Sequence, residues 1–104
     1  MSIRVASVSE IPLLGTKVVM VGEERILLCR SGDGSISAVQ DRCSHAEVRL
    51  SEGSFDGAEV ECPAHGARFC VKTGRQLCMP AVVPIPTFPV TVEGDDVFLE
   101  GIAA

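Results

Sequence analysis

Apolar and polar positions alternate from Ile3 to Val8 (IRVASV), the period-two pattern of a half-buried strand. Pro12 and Gly15 then mark a loop. Thr16 to Val21 (TKVVMV) and Arg25 to Cys29 (RILLC) are β-branched or aliphatic runs separated by Gly22-Glu23-Glu24, which predicts a hairpin. A turn over Arg30–Ser35 leads into a short strand, Ile36 to Val39. Gln40 to Ser44 should leave the sheet. Ala46 to Ser54 holds the one candidate helical turn, too short and too glycine-flanked for a substantial helix. Asp56-Gly57 turns the chain into a strand over Ala58–Glu61, and Arg68–Lys72 (RFCVK) forms the next, with Phe69 and Val71 on its inward parity. Pro80, Pro84 and Pro86 make residues 78–86 a stiff extended loop. Phe88 to Val92 and Val97 to Leu99 flank Gly94-Asp95-Asp96 as a closing hairpin. Turn signals thus arrive about every eight to twelve residues, the rhythm of an antiparallel sandwich or barrel. The expected fold class is all-β.

At 104 residues the chain has the size of one domain. Hydrophobic residues make up 46% of it, but with four Phe, no Trp and no Tyr the core has to be aliphatic. The net charge of −5, without a Lys/Arg cluster, argues against nucleic acid as a partner. The start, Met1-Ser2-Ile3-Arg4-Val5, lacks the apolar run of about 7–15 residues that a secretory signal needs. No stretch approaches about 18 consecutive apolar residues. A cytoplasmic protein away from membranes is expected. Five cysteines, an odd number, speak against a disulfide framework.

The chemistry concentrates between residues 43 and 65. Cys43 and His45 form a Cys-x-His pair; after 16 residues, Cys62 and His65 form a Cys-x-x-His pair. These are the chain's two histidines. A cysteine and a histidine in each of two short loops is the ligand set of a [2Fe–2S] centre in which two His replace two Cys on one iron. Pro63 fixes φ beside the second pair, and Gly66 lets the backbone turn closely past it. The same four residues could hold one zinc, although structural zinc sites usually pair like ligands, and a zinc-stabilised interaction module therefore remains an alternative. Cys29, Cys70 and Cys78 are left over; the first two sit within strand patterns and read as small buried apolar residues.

Cys43-Ser44-His45 and Cys62-Pro63-Ala64-His65-Gly66 resemble the Rieske motif, C-x-H…C-P-x-H-G, and the resemblance covers essentially the whole chain. It implies a Rieske-like antiparallel β base, residues 1–40 and 73–104, with a small two-loop cluster-binding subdomain at about 41–72. It further implies one [2Fe–2S] cluster, with Cys43 and Cys62 on the buried iron and His45 and His65 on the outer one. Leu50 and Phe69 would limit water access. Gly74 with Pro80-Ala81 and Pro84 resembles the third loop that covers the cluster in stand-alone Rieske ferredoxins.

Such ferredoxins carry single electrons from a flavin-dependent reductase to the terminal oxygenase of a bacterial ring-hydroxylating system. The chain is accordingly expected to be a monomeric carrier with no catalytic site of its own. The respiratory branch of the family carries an additional Cys in each loop, where this chain has Val48 and Ala64, so a bridge between the loops is impossible. That branch also carries hydroxyl donors where this chain has Ala67 and Phe69, which implies a potential toward the low end of a span of about −150 to +300 mV. Arg42, Glu47, Arg49 and Arg68 adjoin the ligands, either as a docking rim or as ordinary solvated loop charges. The Rieske-like small subunit of an assimilatory nitrite reductase is the other family member of about this length.

Overall fold

The structure is a computed structural model that describes residues 2–42, 48–64, 66–77 and 84–100. Among the described residues ten strands follow one another: β1 Ser2–Ser7, β2 Thr16–Val21, β3 Glu24–Arg30, β4 Ile36–Gln40, β5 Ser54–Phe55, β6 Glu59–Glu61, β7 Arg68–Cys70, β8 Thr87–Phe88, β9 Val90–Glu93 and β10 Asp96–Glu100. Single 3-10 turns occupy Val8–Glu10 and Leu50–Glu52. All described pairings are antiparallel, in three sheets ordered β1-β10-β9, β2-β3-β4-β8 and β5-β6-β7. The all-β expectation holds. No helix among the described residues is long and apolar enough to cross a membrane.

The first hairpin forms where the apolar runs predict it. Val21 pairs with Glu24 across a two-residue loop, and Gly22 at φ 62° supplies the positive φ that such a loop requires. β3 is the wall of the molecule because both of its faces are apolar. Leu27 and Cys29 face one core, with Val39, Val60, Cys62 and Phe69; Ile26 and Leu28 face another, with Ile11, Val97 and Leu99. All of these residues are buried. Each aliphatic side chain so placed contributes about 1.5–3 kcal/mol of burial.

Two expectations are corrected. Phe88 to Val92 is not one strand. Thr87–Phe88 pairs with β4, through Ala38↔Phe88, whereas Val90–Glu93 pairs with β10 in another sheet. Pro89 sits at the break, where it has no N–H to give to either ladder. Its carbonyl still accepts from the N–H of Glu100 at 3.0 Å. Cys70 is not a buried apolar residue either; it is half-exposed. Phe69 takes the inward parity of β7, so Arg68 and Cys70 point to the opposite face of a three-stranded sheet, opposite Glu61 and Glu59.

Candidate metal centre

The second ligand loop grows directly out of the β6–β7 hairpin. β6 delivers Cys62, whose N–H donates to the carbonyl of Ala67 at 2.7 Å, and the N–H of Gly66 returns to the carbonyl of Cys62 at 3.1 Å. Gly66 stands at φ 76°, so the loop closes with a residue that tolerates left-handed backbone. Cys62 is 1% exposed and packs with Leu50, Val60, Ala67 and Phe69. Leu50 and Phe69 thus belong to the apolar cluster around Cys62. Among the four expected ligands the structure describes Cys62. Cys43, His45 and His65 lie outside the described residues, as do Glu47 and Cys78. Among the described residues no group of three or more His, Cys, Asp and Glu could hold a metal ion.

What the structure does describe is how the loops are held at their bases. Asp41 directly follows β4, two residues before Cys43, and its side chain is fully buried. It accepts from Arg25 Nε at 2.7 Å, from the Ser51 N–H at 2.7 Å and from Ser51 Oγ at 2.8 Å. Next along the chain, Gly53 lies so close to the Glu61 carbonyl that a Cβ there would overlap it, which brings the exit of the first loop against the strand that feeds the second. The proline-containing segment re-enters at Ile85, whose N–H donates to the Gly74 carbonyl at 2.8 Å; the Gln40 N–H then donates to the Pro86 carbonyl at 2.9 Å. Gly74, at φ 75°, also leaves no room for a Cβ beside the Ile85 carbonyl. Neither Asp41 nor Gly53 stands out in the sequence. An acid before a cysteine looks like an ordinary polar loop residue.

The charges near the site are largely compensated. Arg68 pairs through Nε with Glu59 at 2.9 Å and through Nη2 with Asp56 at 2.9 Å, with Glu61 at 3.7 Å from Nη1. The Glu59 hydrogen bond raises the Arg68 pKa further. Asp56 is held below the usual carboxylate range, first by the N–H groups of Glu59 and Ala58 and then by Arg68. Arg68 thus braces β5–β7. Arg42 and Arg49 are exposed beside Asp41 and Val48. Burial, with Asp41 nearby, pushes the Cys29 thiol up to about 12, so it stays protonated and is a poor ligand. Cys70, by contrast, is lowered by a hydrogen bond from the Thr73 side chain.

A buried thiol at a pinched loop, preceded by a strand and followed by Pro63 and Gly66, suits one ligand position of an iron–sulfur centre. Comparison with known proteins identifies the family. Residues 1–89 match the Rieske [2Fe-2S] domain, and the chain belongs to that family. Its cofactor is a Rieske-type [2Fe–2S] cluster. Over 68 residues it is 53% identical to the 3-phenylpropionate/cinnamic acid dioxygenase ferredoxin subunit of Shigella boydii serotype 4 (strain Sb227), a match covering 64% of this chain and 64% of that protein. The ferredoxin of carbazole 1,9a-dioxygenase from Nocardioides aromaticivorans IC177 superposes with a TM-score of 0.89 at 33% identity, over 95% of this chain and 96% of that one. A structure described as the complex of reduced oxygenase and oxidized ferredoxin in carbazole 1,9a-dioxygenase contains a chain that matches at TM-score 0.88 and 35% identity, covering 96% and 93%.

Proposed function

We propose that this chain is the ferredoxin of a bacterial ring-hydroxylating oxygenase system, taking single electrons from a flavin-dependent reductase to a terminal oxygenase in the cytoplasm. The observation that carries this reading is the likeness to an oxygenase ferredoxin along 95% of the chain at 33% identity. When bound, the cluster supplies a one-electron couple. The chain's own part is to hold it, exclude water and present it to partners. Cys43, His45, Cys62 and His65 are the proposed ligands, borne by residues 41–72 on a base of 1–40 and 73–104. Cys62 supplies a thiolate from the dry side of the site, under Leu50 and Phe69. The chain itself acts as a carrier and a monomer, and the substrate is chosen by the oxygenase.

Ala67 and Phe69 are both fully buried and neither carries a hydroxyl. With fewer donors toward the sulfurs, the reduced cluster is stabilised less. The potential is expected toward the low end of about −150 to +300 mV, which suits donation to an oxygenase.

Anaerobic purification, iron, sulfide and zinc analysis, and low-temperature EPR after dithionite reduction test the reading. Two irons and two sulfides per chain are expected, with an average g below that of all-cysteine clusters. A colourless protein containing zinc would leave an interaction module instead. Rapid-mixing oxidation of the reduced chain by a terminal oxygenase of this class tests the carrier role.

A further inference from the structure

The two ligand loops are closed at their bases by different means. The second is closed by backbone, through the Cys62 and Gly66 N–H groups. Among the described residues, the ends of the first are joined by one side chain. Asp41 stands two residues before Cys43, and Ser51 stands six after His45. Between them run nine residues, 42–50. An ionised carboxylate withdrawn from water is unfavourable unless strong donors surround it. Among the described residues Asp41 has three: Arg25 Nε, the Ser51 N–H and Ser51 Oγ, all within 2.8 Å. Its own N–H donates to the Arg25 carbonyl at 2.9 Å, which fixes its backbone to β3 as well. The clamp therefore joins the loop's entry, the loop's exit and the central wall of the molecule.

We propose that Asp41 is the positioning residue of the first ligand loop: its buried carboxylate, held between Arg25 and Ser51, sets the separation and direction of the ends from which Cys43 and His45 reach the cluster. The inference rests on the ligand set proposed above. Closing a loop costs conformational entropy, and the clamp meets that cost before any iron binds. Without it, closure falls on the metal–ligand bonds, and the cluster is held more loosely and in a less uniform geometry. Arg25 is partly exposed, so it completes the carboxylate's hydrogen bonding from the strand while Ser51 makes the contact across the loop.

The test compares D41A, D41N and S51A with Val97→Ala, a buried control in the other core. Each is followed by apo-protein melting, by iron and sulfide content after anaerobic reconstitution, by cluster half-life under a chelator and by EPR of the reduced form. D41A is expected to lose its cluster on the order of tenfold faster than the unsubstituted chain, with broadened g-values. D41N retains an acceptor for the Ser51 N–H and should fall between the two, with S51A milder still. Val97→Ala should keep the original half-life and spectrum even where its apo melting temperature falls as far as that of D41A. A D41A protein with unchanged half-life and spectrum would overturn the proposal. So would a Val97→Ala protein that loses its cluster equally fast. Hydrogen exchange at the Ser51 amide of the apo-protein gives a readout that needs no cluster: it should accelerate in D41A, and unchanged exchange would also overturn the clamp. Failure of the unsubstituted chain to take up iron and sulfide would instead strike at the ligand set, a separately visible result.

Discussion

The two faces of β3 look onto cores built from the same kind of residue but organised for different ends. On one face Ile26 and Leu28 meet Ile11, Val19, Val97 and Leu99 beneath the β1-β10-β9 sheet. On the other, Leu27 and Cys29 meet Val60, Cys62, Ala67 and Phe69 beneath the short β5–β7 sheet. The first core is closed by long strands and side-chain packing. The second is closed by strands of two or three residues, so polar and conformational devices take over: the Asp41 clamp, the close approach at Gly53 and the carboxylates around Arg68. A packed face tolerates having no function; a ligand-bearing face has to keep loop ends in place with little sheet to hold them.

The largest expected effect comes from emptying each core in turn. Phe69→Ala should destabilise the apo-protein by about 3–5 kcal/mol and Leu99→Ala by about 2–5 kcal/mol, read by urea unfolding. Only Phe69→Ala should also speed chelator-driven loss of the cluster. Equal cluster loss in both would erase the distinction between the cores. A smaller effect is expected from Gly53→Ala. Its Cβ meets the Glu61 carbonyl, a backbone atom that cannot swing aside, so a loss of about 1–3 kcal/mol should accompany a lowered cluster content. Unchanged melting would show that the two loop bases can slide apart freely.

The pH dependence sharpens the comparison further. Asp33 is lowered to about 2, first by the Ser35 side chain, then by the Ser35 N–H and Lys72. Its folded pKa lies below the unfolded value of about 3.9, so its contribution is complete above that value and disappears as pH falls through about 2. Acid titration of the apo-protein should therefore show less loss of stability between about pH 4 and pH 2 in Asp33→Asn than in the unsubstituted chain. The effect should be small, because the group is exposed. Asp56 is lowered too and should behave with the same sign. Smallest of all is a difference in rate: Cys70, half-exposed and lowered by Thr73, should be alkylated by iodoacetamide well before Cys29, which is buried and pushed up to about 12. Mass spectrometry of the partly modified protein reads it directly.

Much of this architecture is legible in the chain because it is written in local periods. The β2–β3 hairpin follows from two aliphatic runs around Gly22, and the inward place of Phe69 and Val71 follows from parity. The Cys-x-His and Cys-x-x-His spacing, with Pro63 and Gly66, announces the family before any fold is known. The same parity argument also assigns Cys70 to the outer face, against its reading as a buried residue.

Amino-acid order by itself determined the all-β class, the turns and the metal chemistry, since each depends on residues a few positions apart. Tertiary structure decided what depends on distant partners. It sent Phe88 and Val90, two residues apart, into different sheets, because β4 and β10 compete for one segment and Pro89 lets it divide. It paired β1 with β10 across nearly the full length of the chain. It also placed the Asp41 carboxylate between Arg25 and Ser51. Only folding brings those three side chains together and removes the water that would otherwise solvate the charge, so an ordinary loop aspartate becomes a clamp.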